Sequence, residues 1–310
     1  MGPSLNHFKT GLLLASLAAL FGIVGFAMGG TSGLIIALIF ATCTNAVAYW
    51  NADKLALKAQ GAQEVDVNTS PELVDLVHSL AERGGLPPPR VFLIDQAQPN
   101  AFATGRSPAK SAVAITTGLI KILTKEELAG VIAHELAHIK SRDTLTMTVA
   151  ATIAGAISSF VNFAMLFGGT RNRPNPLMGL LMMFLAPMAA AVIQMTISRS
   201  REYEADRVGA EISGNPLWLA SALEKIAAGT KTIPNELAEM RPATASLFII
   251  NPLSGRRMDG WFSTHPKTEN RIAALIELAK VMGITAKQMG ESLAQSSSGK
   301  SGKAQRGAWG

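Results

Sequence analysis

Two histidines that flank a glutamate, in the sequence HELAH at His134–His138, are the residues best suited to do chemistry. A helix places residues four apart on one face, so His134 and His138 can hold one metal ion together. Glu135 then faces the open side of that metal. Zn²⁺ held in this way polarises a carbonyl group and activates water, while the glutamate removes the proton. The motif therefore predicts a zinc site with Glu135 as general base.

The sequence around this motif places it in the middle of a helix. Thr124–Glu127 is typical of a capping box, and a helix is predicted from Glu126 to about Lys140. Apolar residues repeat along one face of this segment, which we call the zinc helix. They are Leu128, Val131, Ile132 and Leu136.

A catalytic zinc usually has three protein ligands, so a third ligand must come from elsewhere in the chain. The strongest candidate is Glu202. A hydrophobic hairpin between the zinc helix and this glutamate would return the chain to the end of the zinc helix. Asp206 lies four residues further on and shares a helix face with Glu202. We predict that Glu202 binds zinc and that Asp206 accepts the ring N–H of a ligating histidine. The alternative is a charged, solvated helix start.

The composition indicates that part of the chain lies in lipid. Of the 310 residues, 48% are hydrophobic and only 16% are charged, whereas soluble domains carry about a quarter charged residues. Residues 10–52 contain no charge, and a glycine-rich break divides them into two predicted spans, about 11–29 and 33–50. A cleaved signal peptide is the alternative for the first span. That segment is longer than a signal h-region and leads directly into the second span.

Two further uncharged runs, Thr144–Thr170 and Pro174–Ser198, each exceed the roughly 20 residues that cross a bilayer core. We therefore predict four transmembrane helices, with buried helices of the soluble domain as the alternative for the last two. Basic residues near the ends of membrane spans are more frequent on the cytoplasmic side. Arg171 and Arg173 oppose a cytoplasmic location for the domain, but the basic residues that support this location outnumber them. These are Lys9, Lys54, Lys58, Lys140, Arg142, Arg199 and Arg201.

The net charge of +6 does not indicate a nucleic-acid partner. Three of the basic residues belong to the tail Gln295–Gly310, which has no acidic residue and is predicted to be disordered. The remaining bias is typical of a membrane protein that faces the cytoplasm. The single cysteine, Cys43, excludes an internal disulfide and a metal site built from thiolates.

The segments outside the hydrophobic runs have the composition of a soluble domain. A helix is predicted from Ser70 to about Arg83, followed by a small sheet that leads into the zinc helix. A strand beside the zinc helix can pair with an extended substrate. We expect an α+β fold, mainly helical, with a zincin-like domain that carries this sheet. The predicted strands are Arg90–Ile94, Asn100–Thr104 and Ala112–Thr117.

The chain is predicted to alternate between membrane and soluble parts. The soluble domain is interrupted by the second hydrophobic hairpin, so its two parts must assemble around the zinc helix. The predicted parts are a transmembrane hairpin at 1–52, a first domain part at 53–143, a second hairpin at 144–198, a second domain part at 199–283 and a basic tail at 284–310.

Four motifs occur in order along the chain: Asn100–Gly105, HELAH, Ser198–Asp206 and Ser263–Ile272. Together they resemble the HtpX heat-shock proteases over nearly the whole chain except its C-terminal tail. That family consists of zinc endopeptidases of the bacterial cytoplasmic membrane, related to the CAAX prenyl proteases. The resemblance implies one zinc ion per chain and Glu135 as catalytic base. The zinc ligands that it implies are His134, His138 and Glu202.

The resemblance also implies a function in the cell. It indicates a multi-pass protein of the bacterial inner membrane whose active site faces the cytoplasm. Misfolded membrane proteins or unfolded polypeptides are the implied substrates, in quality control and stress response that include self-cleavage. The oligomeric state stays open. The alternatives are a prenyl-protein endoprotease that uses the same site and a non-catalytic membrane scaffold with a structural zinc.

Several residues outside the zinc motif have a role by resemblance and a simpler structural alternative. His265 and Arg271 would donate hydrogen bonds to the oxyanion of the tetrahedral intermediate or support the zinc ligands from behind, or Arg271 would anchor the substrate. The alternative for His265 is the start of a helix. Asn100 and Ala101 would hold the substrate backbone, or Asn100 is a turn residue. Asp143 is predicted to be a helix-end charge, with a partner of a zinc-ligating side chain as the alternative.

Overall fold

The computed structural model of this chain describes residues 3–149, 199–232, 249 and 266–284. Helices predominate in this part of the chain, and they surround one small sheet. The helices are α1 (Pro3–Ala59), α2 (Pro71–Arg83), α3 (Thr117–Ile122), α4 (Lys125–Lys140), α5 (Arg199–Ser213), α6 (Pro216–Thr232) and α7 (Thr268–Val281). The strands are β1 (Gln63–Val65), β2 (Arg90–Ile94), β3 (Ala101–Gly105) and β4 (Ser111–Thr116).

The N-terminal helix α1 is broken at Gly29 and Gly30, where the backbone leaves the helical conformation. Gly30 has a φ of 57° with a ψ of −143°, a conformation that only glycine adopts easily. The Asn45 side-chain amide donates to the Leu14 carbonyl oxygen at 3.0 Å, so the two halves of α1 lie against each other. The predicted helical hairpin is therefore present.

One helical stretch among the described residues, Gly29–Val47, is long and apolar enough to cross a membrane. Nearly all of it is exposed on the protein surface. The other half of the hairpin contributes the shorter apolar stretch Leu14–Ile23. One candidate span is thus found where two were predicted at this end of the chain.

The predicted second hairpin, 144–198, lies outside the described residues except for its first turns, which are helical to residue 149. These turns are buried in the soluble domain. The Thr144 hydroxyl donates to the Gly105 carbonyl oxygen at 3.0 Å, and the Thr148 and Thr104 hydroxyls lie 3.0 Å apart. All three threonines are buried. The start of the predicted third span is therefore part of the folded domain that packs on β3.

The four strands form a mixed sheet in the order β1-β2-β4-β3. β2 and β4 are parallel, whereas β1 and β3 pair antiparallel with their neighbours. The three predicted strands are confirmed to within one residue at each end, and the short strand β1 was not predicted. Alternate residues face opposite sides of the sheet, with one face on α2 and α4 and the other on the end of α1. β3 lies at the sheet edge nearest the zinc helix.

The zinc helix α4 begins at the predicted capping box. The Thr124 hydroxyl accepts from the Glu127 amide, and the Glu127 carboxylate accepts from the Thr124 amide at 2.8 Å. The same buried carboxylate accepts from the Ser221 hydroxyl at 2.6 Å and the Lys225 ammonium at 2.8 Å, both on α6. The N-terminus of the zinc helix is therefore fixed to the second part of the domain.

Two glycines allow helices to pack on α4 at very short range. A Cβ on Gly209 of α5 would lie 2.9 Å from the Cα and N atoms of His134. A Cβ on Gly130 would lie 2.6 Å from the Leu219 amide nitrogen on α6. Such distances leave no room for a side chain. The backbone of α5 therefore lies directly against the first histidine of HELAH, which brings Glu202 and Asp206 of α5 close to the two histidines.

Candidate metal centre

Three side chains that the sequence predicts as ligands meet in the protein interior. His134 and His138 extend from one face of α4, and their Nε2 atoms are 3.2 Å apart. Glu202 of α5 lies opposite, with carboxylate oxygens 3.9 Å from His134 Nε2 and 3.7 Å from His138 Nε2. All three residues are buried, and their ligand atoms lie within 4.8 Å of one another. The group is arranged to hold one metal ion.

The donors suit a catalytic zinc, which takes nitrogen and oxygen ligands and keeps one position open. Each histidine has a carboxylate beside its other ring nitrogen. His134 Nδ1 is 3.0 Å from Asp206 Oδ1, and His138 Nδ1 is 3.4 Å from Asp143 Oδ2. A carboxylate in that position keeps the proton on Nδ1 and directs the Nε2 lone pair to the metal. The residues present therefore fit zinc.

Each of these two carboxylates is held in turn by an arginine. Arg271 of α7 donates to Asp206 through Nε at 2.9 Å and through a terminal nitrogen at 2.6 Å. Arg201 of α5 donates to Asp143 at 3.0 Å. The expectation that Asp143 is only a helix-end charge misses these contacts, because they depend on where the chain returns after the second hydrophobic run.

The balance of buried charge also fits a divalent cation. Four buried carboxylates belong to the centre, and two guanidinium groups, those of Arg201 and Arg271, lie among them. When zinc is bound, the histidines are neutral, and with Glu135 ionised the four negative and two positive groups leave two negative charges in excess. Buried charge of one sign is costly unless it is compensated, and a bound Zn²⁺ compensates it. The four carboxylates are those of Glu135, Asp143, Glu202 and Asp206.

Glu135 lies beside the histidines and does not belong to the ligand group. Its carboxylate accepts a hydrogen bond of 2.8 Å from the Ala103 amide of β3. That amide points away from β4, towards the zinc helix. Burial raises the pKa of Glu135 to about 7, although the charge of His138 and the Ala103 hydrogen bond oppose the rise. A carboxyl group with this pKa can both accept and release a proton near neutral pH.

The two histidines differ in proton affinity. Burial lowers the pKa of His134 to about 4. Burial acts in the same direction on His138, but the hydrogen bond to Asp143 and the charges of Glu202 and Glu135 outweigh it and raise its pKa to about 9. The rings meet edge to face with centroids 4.8 Å apart. Without metal at neutral pH, His134 is therefore neutral and His138 carries the additional proton.

Arg271 lies beside His134, with a terminal nitrogen 3.5 Å from its ring nitrogens, and it supports Asp206. It is fully buried, and besides Asp206 it donates to the Ile249 carbonyl oxygen at 3.1 Å and lies 3.6 Å from Glu202. These contacts use the guanidinium group within the protein. They fit the predicted support of the zinc ligands from behind. The predicted contact of Arg271 with the substrate or the oxyanion stays a prediction.

The other predicted site residues have mixed outcomes. The Asn100 side-chain oxygen accepts from the Ile249 amide at 3.3 Å, so it holds a segment of its own chain. Ala101 is buried at the start of the edge strand β3. His265 lies outside the described residues. The partnership of Asp143 and Arg201 was missed, although a sequence signal exists, because the two residues flank a long hydrophobic stretch whose only charged residues are Arg171, Arg173 and Arg199.

Two histidines one helical turn apart, a glutamate between them and a carboxylate from a second helix define a metallopeptidase of the HExxH class. Peptidase family M48 matches residues 67–279, more than half of the chain, and the chain belongs to this family. The resemblance to the HtpX proteases agrees with that membership. A crystal structure of Ste24p from S. mikatae is similar, with a TM-score of 0.44 and 19% identity. The match covers 87% of this chain and 66% of that chain.

Proposed function

We propose that this protein is a zinc-dependent endopeptidase anchored in a membrane. The observation that carries the proposal is the buried group of His134, His138 and Glu202, with Glu135 beside it, in a chain of family M48. The single group of this kind among the described residues supports one zinc ion per chain. The exposed apolar stretch Gly29–Val47 supports the membrane anchor.

The chain's own residues supply the proton transfers of peptide hydrolysis. When bound, Zn²⁺ provides Lewis acidity that polarises the scissile carbonyl and lowers the pKa of water. The Glu135 carboxylate accepts a proton from the attacking water as the water oxygen bonds to the carbonyl carbon of the substrate. The same carboxyl group then gives that proton to the amine nitrogen as the C–N bond breaks. The pKa of about 7 that burial gives Glu135 suits both transfers.

The edge of β3 is the proposed binding surface for the substrate backbone. An extended peptide that pairs with this edge runs alongside the zinc helix, as an added strand does in other peptide-binding domains. At the C-terminal end of β3, the Gly105 carbonyl oxygen already accepts a hydrogen bond from the Thr144 hydroxyl. The Ala103 amide already donates to Glu135. The proposed pairing therefore uses the backbone groups of Ala101 and the Ala103 carbonyl. Because such pairing uses hydrogen bonds to the substrate main chain, it suits unfolded polypeptides of varied sequence.

The cellular setting is proposed from the resemblance and from the charge pattern of the sequence. The protein would be a multi-pass protein of the bacterial inner membrane, with the centre facing the cytoplasm, and would degrade misfolded membrane proteins under stress. A tag at the C-terminus should then react with reagents added from the cytoplasmic side of the membrane and be protected from the outer side. Reaction from the outer side would reject this orientation.

The two alternatives have less support. A structural zinc in a non-catalytic scaffold normally has four protein ligands, mostly cysteine, whereas the described centre has three donors and Cys43 lies in α1. The position of Glu135 beside the group also favours catalysis. A prenyl-protein endoprotease would use the same centre, but no contact among the described residues favours a lipidated peptide over an unmodified one.

The proposed function is tested by removing zinc from the protein and then adding it back. The protein is purified in detergent with a chelator, and cleavage of casein and of an unfolded membrane protein is followed before and after addition of zinc. We expect no cleavage after chelation and recovery of cleavage on addition of about one zinc per chain. Absence of zinc-dependent cleavage for every substrate, with zinc still bound, would favour the scaffold.

A further inference from the structure

We infer that the ion pair between Asp143 and Arg201 positions two of the three proposed zinc ligands at once, and that it joins the hydrophobic run 144–198 to the metal centre. The inference rests on the proposed function, in that His138 and Glu202 are taken as zinc ligands. Neither Asp143 nor Arg201 contacts the substrate in this account. Both act through the ligands that they hold.

The Asp143 carboxylate divides its two oxygens between two partners. Oδ2 lies 3.4 Å from His138 Nδ1, and Oδ1 accepts from an Arg201 terminal nitrogen at 3.0 Å. The carboxylate is buried, and the Arg201 side chain is only 10% exposed. Since the arginine fixes one oxygen, the other cannot rotate away from the histidine. The ring of His138 is thereby held with Nε2 towards the metal.

The same arginine also fixes the third ligand. Arg201 and Glu202 are adjacent in the first turn of α5, which begins at Arg199. Neighbouring helical residues point about 100° apart, so one can face Asp143 while the next faces the histidines. The Glu202 carboxylate lies 3.7 Å from His138 Nε2. If Arg201 loses Asp143, one contact that holds this part of α5 beside the zinc helix is lost, and we expect Glu202 to shift with it.

The position of the pair in the sequence gives it a second consequence. Asp143 immediately precedes the hydrophobic run, and Arg201 follows its last residue, Ser198, by three positions. The ion pair therefore joins the two residues that flank the run, one on each side, at the metal centre. We expect a displacement of either flanking residue to reach His138 and Glu202 through this contact. His134 is held differently, by Asp206 and by Arg271 from α7, at a distance from the run.

The test uses Asp143→Asn, Arg201→Gln and the double variant in the full-length protein in detergent. Zinc affinity is measured by competition with a chromophoric chelator, and the visible spectrum of the Co²⁺-substituted protein reports ligand geometry. We expect each single variant to lose about 10–100-fold in zinc affinity and to alter the Co²⁺ spectrum. Because both residues act through one contact, the double variant should lose no more than the worse single variant.

Matched controls come from the same helix. Arg207→Gln and Glu204→Gln remove an exposed ion pair of α5, and both should keep wild-type zinc affinity and Co²⁺ spectrum. Arg201→Lys should recover part of the affinity lost in Arg201→Gln, because it restores the charge without the planar guanidinium. If Asp143→Asn does not fold, the two Arg201 variants test the same expectation.

The inference and the proposed function fail in different ways. Wild-type affinity and spectrum in Asp143→Asn and Arg201→Gln, with zinc lost in His138→Ala, would overturn the positioning role alone. Additive losses in the double variant would overturn the shared contact. Full zinc binding in His138→Ala would instead reject the proposed ligand set.

Discussion

The two glutamates at the start of α5 provide a sharp test of the ligand set, because they are close in sequence and different in surroundings. Glu202 has a side chain that is 3% exposed and faces the two histidines. Glu204 is 52% exposed and pairs with Arg207 on the surface. On a helix they point roughly 200° apart. Only Glu202 can therefore reach a metal held by α4.

The magnitude of the difference follows from the number of ligands. Zinc sites with four protein ligands bind with about 10–16 kcal/mol, so one ligand accounts for about 2.5–4 kcal/mol. At about 1.4 kcal/mol per factor of ten, Glu202→Ala should weaken zinc binding by on the order of 10²–10³. Glu204→Ala removes an exposed ion pair worth about 0–1 kcal/mol of folding stability and should leave zinc affinity unchanged.

The assay is the zinc content of both purified variants after dialysis against a weak chelator, followed by the dissociation constant from competition. Circular dichroism on the same samples shows whether each variant is folded. The ligand assignment requires that a folded Glu202→Ala loses zinc while Glu204→Ala retains it. The reverse order, or equal retention in both, would refute the assignment of Glu202.

Two further predictions concern proton release and packing. Because the pKa of His138 is about 9 without metal, zinc must displace its proton at neutral pH. Apparent zinc affinity should therefore rise by about tenfold per pH unit between about pH 7 and pH 9, and an affinity independent of pH would contradict this. Gly209→Ala places a Cβ 2.9 Å from the His134 backbone and should cost about 1–3 kcal/mol of stability, measured by thermal unfolding. Gly11→Ala, with open space around it, is the control and should show no loss.

Much of the local structure could be predicted because it depends on short sequence patterns. The capping box at Thr124 fixes where the zinc helix begins, and the spacing of His134 and His138 fixes their common face. The same helical periodicity predicts that Glu202 and Asp206 share one face of α5. These residues meet in the structure because the backbone of α5 packs directly on α4 at Gly209.

Contacts between distant segments could not be predicted in the same way. Asp143 receives its role from Arg201, which lies beyond the second hydrophobic run. Arg271 points to Asp206 because of where α7 packs, and its sequence motif alone suggested contact with substrate. Thr144 is buried in the domain, where its hydroxyl donates to the Gly105 carbonyl oxygen. Hydropathy does not reveal this contact, and it placed Thr144 at the start of a membrane span.

The separation of zinc binding from catalysis at Glu135 tests the central claim most directly. Glu135→Gln removes the proposed base and leaves His134, His138 and Glu202 in place. Zinc content and casein cleavage are measured on the same purified sample, beside the wild type. The account predicts wild-type zinc content with a rate lower by on the order of 10²–10⁴. A variant that binds zinc and cleaves at nearly the wild-type rate would contradict it.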